Sequence, residues 1–286
     1  MENQLLQMTI DGLLMGSIYA LIAVGMTLIW GVMDIINFAH GAFLMLAMFI
    51  TFWADKLWGI DPLISLPFVA VILFFLGWGT YSTTVRKVLN GPILAQLLVT
   101  FGIGIFLVNL AVFLWSPDYR QLQHTFISGT CHFHYCVASK GKVVAAITSI
   151  FVFAGTYWWL KKTRLGRAVQ ATSISKEAAL LMGINTERVF GITFGIALAL
   201  LGVAGSLLTT FYYVFPSVGD MFGLLAFAIV ALGGFGSVPG SFIGGLMIGL
   251  AENIGGLYLG PQYKYAIIFA IYLGVVMVRP KGLFGW

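Results

Sequence analysis

Hydrophobic residues in this chain fall in long blocks rather than alternating with polar ones. The blocks run at about 8–31, 38–54, 63–80, 93–115, 143–160, 189–214, 222–235, 240–258 and 265–279. Met8 to Val32 contains a single acid, Asp11, and Ile93 to Trp115 contains no charge. Both exceed the roughly 20 residues that carry a helix across a bilayer. A membrane barrel would alternate polar and apolar positions over segments of about 10 residues. These blocks are apolar on every side. The pattern predicts an all-α, polytopic membrane protein with eight or nine hydrophobic segments, forming one domain over residues 1–286. The pair 222–235 and 240–258 is ambiguous: its first member is short, and "GGFGSVPG" separates the two. Two crossings and a re-entrant pair are both open, because irregular backbone is tolerated at membrane depth where protein buries it.

Composition points the same way. The chain is 60% hydrophobic and 9% charged, against about 25% charged for soluble domains, so water is the wrong solvent for most of its surface. The opening "MENQLLQMTIDGLLMG" lacks a basic region, so the first segment is expected to belong to the mature protein. The net charge of +5 does not call for nucleic acid. In a membrane protein, Lys and Arg mark cytoplasmic loops instead. Residues 161–188 hold Lys161, Lys162, Arg164, Arg167, Lys176 and Arg188, and are expected on the cytoplasmic side. Arg86 and Lys87, and Arg279 and Lys281, then fall on that side too. The N-terminus and the 116–142 loop fall outside, despite Arg120, Lys140 and Lys142 in that loop.

Several local patterns carry candidate chemistry. "CHFHYC" places Cys131 and Cys136 in the outer loop, around His132 and His134. A disulfide, a zinc set and free thiols are open readings, although the histidines lie inside the cysteine pair, unlike paired zinc spacing. The basic loop contains "SISKEAALLMGIN". Ser173 or Ser175 can cap a helix there, Glu177 suits its positive end, and Gly183 is a natural stop. The expected helix is about two turns long and shows Leu180, Leu181 and Met182. A helix that short needs a partner surface, either lipid or protein.

"NFAHGAF" raises a further question: why do Asn37 and His40 lie between oily flanks? A capped cytoplasmic turn, a hinge and a direct solute contact are all open, with Gly41 allowing close backbone approach. "GGFGSVPGSFIGG" poses the same choice for Gly233, Gly234 and Ser237, while Gly236, Gly240 and Gly244 follow a small-residue packing spacing. Gly12, Gly16, Ala20, Ala23 and Thr27 make a small-residue stripe on the first segment, read as a packing face, with Gly16 also a pathway or hinge candidate. Glu252 is expected to be solvated or paired near an outer helix end, with contact to a solute ammonium as the alternative. "GLLMGSIYALIAV" from Gly12 echoes "GITFGIALALLGV" from Gly191, in segments expected to run in opposite directions, as an inverted repeat would.

Three blocks together resemble one family. "GRAVQATSISKEAALLMGIN" resembles the cytoplasmic coupling loop of ABC importer permeases. "GLLMGSIYALIAVGMTLIWGVMDIINFAHGAF" and "AIVALGGFGSVPGSFIGGLMIGLAENI" are similar to the branched-chain amino acid permeases, of the LivH type. The resemblance implies a permease in the bacterial inner membrane. Its implied partners are a LivM-type second permease, two cytoplasmic ABC ATPases and a periplasmic solute-binding protein. It implies coupling to the ATPases through Arg167, Glu177, Ala178, Leu181, Gly183 and Asn185, and a pathway or hinge at Gly16, Asn37, His40, Gly41, Gly233, Gly234 and Ser237. The implied cargo is a branched-chain or other hydrophobic amino acid, with urea, amides and other small solutes as alternatives. "CHFHYC" departs from the family pattern. The sequence contains no G-x-x-x-x-G-K-[ST] phosphate loop, so no nucleotide site is expected on this chain; no cofactor is expected, and no metal ligand is assigned beyond the open reading of the "CHFHYC" loop. A rival class is a gradient-driven carrier using Asp34, His40 and Glu252. A membrane enzyme has only the "CHFHYC" loop as a foothold.

Overall fold

The computed structural model describes residues 2–122, 126–127, 129–133 and 136–285, with side chains for all of these but Glu2, His132, Phe133 and Cys136. The helices are α1 (Glu2–Met33), α2 (His40–Trp58), α3 (Pro62–Thr80), α4 (Arg86–Val88), α5 (Ile93–Trp115), α6 (Lys140–Lys162), α7 (Arg164–Ile174), α8 (Lys176–Leu181), α9 (Thr186–Thr209), α10 (Val218–Gly233), α11 (Val238–Leu259) and α12 (Lys264–Val278). A π-helical turn at Tyr81–Val85 joins α3 to α4, so Pro62–Val88 is one continuous rod. Among the described residues, eight helices are long and apolar enough to cross a membrane, and α10, with 16 residues, is shorter. The ambiguous pair thus resolves into one short helix, α10, and one full-length helix, α11.

Ion pairs sort the loops onto two ends. At one end Lys142 meets Asp11 at 3.4 Å, and the Gln7 amide pairs with both backbone groups of Val137. At the other end Lys176 meets Asp34 at 3.1 Å, and Arg86 meets Glu187 at 2.6 Å. The C-terminal segment joins this second end, where the Leu283 and Phe284 amides donate to the carbonyls of Leu232 and Gly233. This grouping matches the one read from Lys and Arg.

The 116–142 loop holds an unforeseen element. Strands β1 (Thr130–Phe133) and β2 (Cys136–Ser139) pair antiparallel, with Cys131 opposite Ala138 and Phe133 opposite Cys136. The helical expectation holds for every membrane-length segment, and this one short hairpin lies outside them. Its residues are too few to read as a strand signal by periodicity. Cys131 is a free thiol among the described residues. The expectation of a Cys131–Cys136 disulfide rests on the side chain of Cys136, and the zinc reading on the side chain of His132 and on His134; these lie outside the described residues.

α1 and α9 form the centre: 89% of the most apolar stretch of α1 is buried and 83% of that of α9, against 11% for α5 and 6% for α12. Small residues let backbones approach at this centre. A Cβ at Gly12 would lie 2.8 Å from the Gly249 carbonyl, and one at Gly16 would lie 2.9 Å from the Gly245 carbonyl. In the other half, a Cβ at Gly191 would lie 3.0 Å from the Trp78 ring and one at Gly195 2.9 Å from the Phe74 ring. The matched glycines of the sequence echo therefore make matched contacts, α1 on α11 and α9 on α3. Exchanging α1 with α9, α2 with α10 and α3 with α11 turns the packing of α2 on α9 into that of α10 on α1, and α2 on α3 into α10 on α11. The partners run in opposite directions, so the packing has the symmetry of an inverted repeat.

Candidate functional site

The chain between α1 and α2 does not turn at the surface. Asp34 adopts φ +55°, and residues 34–37 then run without helix back along the molecule. His40 begins α2 fully enclosed, with Nε2 2.9 Å from the carbonyl of Ile22. Ile22 lies about 16 Å along α1 from Met33, taking 1.5 Å per residue. The start of α2 is therefore buried inside the bundle. Asn37 shapes it: its Oδ1 accepts from the Ala39 amide at 3.1 Å, and its carbonyl accepts from the His40 amide at 3.1 Å. The start of α10 comes to the same place from the opposite end, after the segment 210–217. The two starts touch at Gly41 and Gly219, where a Cβ on either would overlap the other's carbonyl.

A cavity of about 560 Å³ lies against this contact. Met26, Asn37, Gly41, Ala42 and Gly219 form its buried floor. Phe38, Phe101, Leu224 and Asp220 stand exposed around it. Phe38 meets Phe101 edge-on at 6.4 Å between ring centroids. The Thr100 hydroxyl donates to the Ile36 carbonyl at 3.2 Å, which ties α5 to the non-helical stretch. The arrangement suits an apolar solute with few polar groups, because most of its wall is aromatic or aliphatic.

Of the residues singled out from sequence, Asn37 and Gly41 line the cavity, and His40 packs behind its floor against Gly25. Gly16 lies elsewhere, in the α1–α11 contact. Gly233, Gly234 and Ser237 form the α10–α11 turn. Gly234 has φ +100° and touches the C-terminal segment, and the Ser237 hydroxyl caps α11 by accepting from the Gly240 amide at 3.2 Å. The structure does not bring Asp34, His40 and Glu252 together. Asp34 pairs with Lys176 at one end, and Glu252 pairs with Lys264 at 3.6 Å near the other. Asp220, Phe101 and Gly104 were missed. Asp220 alone gave a signal, as an acid opening an apolar block.

The second candidate region is the basic loop at 161–188, where the sequence predicts one short helix. The structure has two, α7 and α8. Thr163, which accepts from the Gly166 amide at 3.0 Å, caps α7. Ser175 caps α8 by accepting from the Ala178 amide at 3.2 Å, whereas Ser173 donates to the Gln170 carbonyl. Gly183 ends α8 at φ +80°, and the Ile184 amide donates back to the Ala179 carbonyl. Asn185 caps α9 by accepting from the Arg188 amide at 3.0 Å. Arg167, Glu177, Ala178, Leu181, Gly183 and Asn185 are all exposed. Ile174, Leu181 and Met182 are 86%, 90% and 82% exposed, an apolar tip larger than chance scatter on a polar loop. Lys176 anchors this tip to the body: its Nζ donates to the Met33 carbonyl at 3.3 Å and to Asp34 at 3.1 Å.

Comparison with known proteins now bears on this geometry. Residues 8–276 match the family model described as branched-chain amino acid transport system, permease component. The high-affinity branched-chain amino acid transport system permease protein LivH of Salmonella typhimurium is 35% identical over 98% of this chain and 95% of its own length. The corresponding permease protein BraD of Pseudomonas aeruginosa is 34% identical over 98% of this chain and 95% of its own. The ribose import permease protein RbsC of Bacillus subtilis is 33% identical over 49% of this chain and 47% of its own.

Proposed function

This chain belongs to the permease components of branched-chain amino acid transport systems, and from that premise we propose the following reading. It is the membrane subunit of an ATP-driven importer in a bacterial inner membrane, moving branched-chain or other hydrophobic amino acids. A periplasmic binding protein delivers the solute. A second permease of the LivM type completes the membrane unit, and two cytoplasmic ATPases drive it. The observation that carries the reading is the path from α8 to the cavity: an exposed apolar tip, tied by Lys176 to the end of α1, continues through residues 34–37 to the start of α2. Motion imposed on α8 by an ATPase would reach the cavity floor along that path. Arg167, Glu177, Ala178, Leu181, Gly183 and Asn185 would face the ATPase, and Asn37, His40 and Gly41 would move with the solute gate.

The test is a pull-down of the tagged chain from native membranes, followed by an ATPase assay. The expected result is co-purification of a second permease and two ATPases, with hydrolysis raised by a leucine-loaded binding protein. Stimulation only by urea, an amide or a sugar would replace the cargo. A chain that purifies alone and moves solute in liposomes without ATP would overturn the class.

A further inference from the structure

We propose that the cavity between the starts of α2 and α10 takes a zwitterionic α-amino acid, its carboxylate at Asn37 and the two helix starts and its ammonium at Asp220. The inference rests on the amino-acid reading above and adds which groups recognise which end of the solute. Three observations converge on it. First, neither helix start has a side-chain cap, since Ala39 has no polar group and Ser217 makes no capping bond. α2 has 19 residues and α10 has 16, so each presents the partial positive charge of a developed helix. The Gly41–Gly219 contact holds both at one point. Second, Asn37 is 1% exposed and lies on the cavity floor. Its Oδ1 is taken by the Ala39 amide, which leaves Nδ2 as the donor, and Nδ2 has no partner among the described residues. A buried donor without an acceptor is costly, and a carboxylate oxygen would satisfy it.

Third, Asp220 stands exposed at the cavity in the first turn of α10, with no ion pair among the described residues. A carboxylate there selects among anions. It repels a fatty acid or a simple inorganic anion, and it attracts a molecule that carries an ammonium beside its carboxylate. Apart from Asn109, the rest of the wall, with Phe101, Val108, Leu224 and Phe227, is apolar and suits an aliphatic side chain.

The test uses the complex purified from native membranes, with three probes: L-leucine, 4-methylpentanoate, which lacks the ammonium, and isoamylamine, which lacks the carboxylate. Two isosteric variants change the polar groups with the least change of shape. Asn37→Asp retains the oxygen that accepts from Ala39 and replaces the free donor with an acceptor. Asp220→Asn removes the charge only. In the wild type, leucine is expected to bind at least about tenfold tighter than either half-molecule, as loss of one charge-assisted hydrogen bond implies. Asn37→Asp should lose about tenfold or more for leucine and 4-methylpentanoate while sparing isoamylamine. Asp220→Asn should do so for leucine and isoamylamine while sparing 4-methylpentanoate. A purely structural role would weaken all three alike, and that result overturns the proposal. So does wild-type leucine affinity in both variants, or leucine uptake with no saturable binding to the purified complex. Failure of the wild-type complex to take up any branched-chain amino acid would instead overturn the functional reading beneath it.

Discussion

The starts of α2 and α10 occupy equivalent places in the two halves, yet they share only their glycines. Gly41 and Gly219 press on each other's carbonyls, so the steric demand is the same on both sides. Around them the chemistry differs. α2 opens with Asn37 and the enclosed His40, and its approach is tied through Asp34 and Lys176 to the exposed tip of α8. α10 opens with Ser217, Val218 and Asp220, and its approach comes from the opposite end, where Arg120 and Val214 exchange backbone hydrogen bonds. The repeat thus supplies a symmetric frame, and the two openings furnish it with unlike groups. A symmetric frame with unlike polar ends suits a solute that is itself unsymmetric. The two glycine crossings differ in a similar way. Gly12, Gly16, Gly245 and Gly249 hold α1 and α11 backbone to backbone, whereas in α9 Gly191 meets the Trp78 ring, Gly195 meets both the Phe74 ring and its carbonyl, and Gly202 alone meets only α3 backbone, at Val69 and Ala70. Backbone cannot yield to an added methyl group, but a ring can turn.

Breaking the shared contact should have the largest effect. Gly41→Val or Gly219→Val drives carbon into a carbonyl and is expected to abolish recovery of folded protein, measured by yield of a monodisperse peak in detergent. Gly223→Ala, whose Cβ would sit 3.4 Å from Gly41, should be recovered normally. Next in size is the asymmetry of drive. Glu177→Lys with Gly183→Val should abolish uptake while leaving membrane insertion intact, because α8 is exposed and its loss removes no core. Unchanged uptake would rule out the coupling role.

The asymmetry of support comes third. His40→Leu removes the hydrogen bond to the Ile22 carbonyl and is expected to cost about 1–3 kcal/mol, read as a lowered thermal midpoint in detergent. Val218→Ala, at the equivalent place, removes no hydrogen bond of its side chain and should shift the midpoint less. The glycine crossings should differ too: Gly245→Ala, where a Cβ would lie 2.5 Å from the Ala20 Cα, should destabilise more than Gly191→Ala, whose nearest neighbours are the rings of Trp78 and Tyr81. Equal losses would mean the aromatic crossing is as rigid as the glycine one. The smallest effect belongs to Lys176→Ala. An exposed ion pair contributes about 0–1 kcal/mol, so stability should hardly change. Uptake should still fall severalfold, because the tie to the Met33 carbonyl is lost.

Much of the frame was legible beforehand because lipid imposes a simple rule: a crossing segment must be long, apolar and helical. Ile93–Trp115 coincides with α5, and 240–258 falls within α11. The Gly12 stripe marked a packing face, since small residues at helical spacing have few other uses, but it did not say which helix meets it. The loops obeyed no such rule. α7 was missed because its propensity is ordinary and its cap, Thr163, follows basic residues that read as the end of a span. The β-hairpin was missed because four-residue strands carry no period.

By itself, then, the sequence determined that the chain is a bundle of membrane-spanning helices, which end carries the basic loops, and that the two halves echo each other. Those features follow from composition and local spacing, which each segment carries alone. Only the tertiary structure decided that α2 and α10 begin inside the bundle, that Gly41 meets Gly219, and that Asn37 and Asp220 border one cavity. Positions 37 and 220 are far apart along the chain, and their meeting depends on how the two halves pack across α1 and α9. No local pattern encodes that distance. It is set by the glycines that let the central helices come close enough to bring two helix starts to a single point.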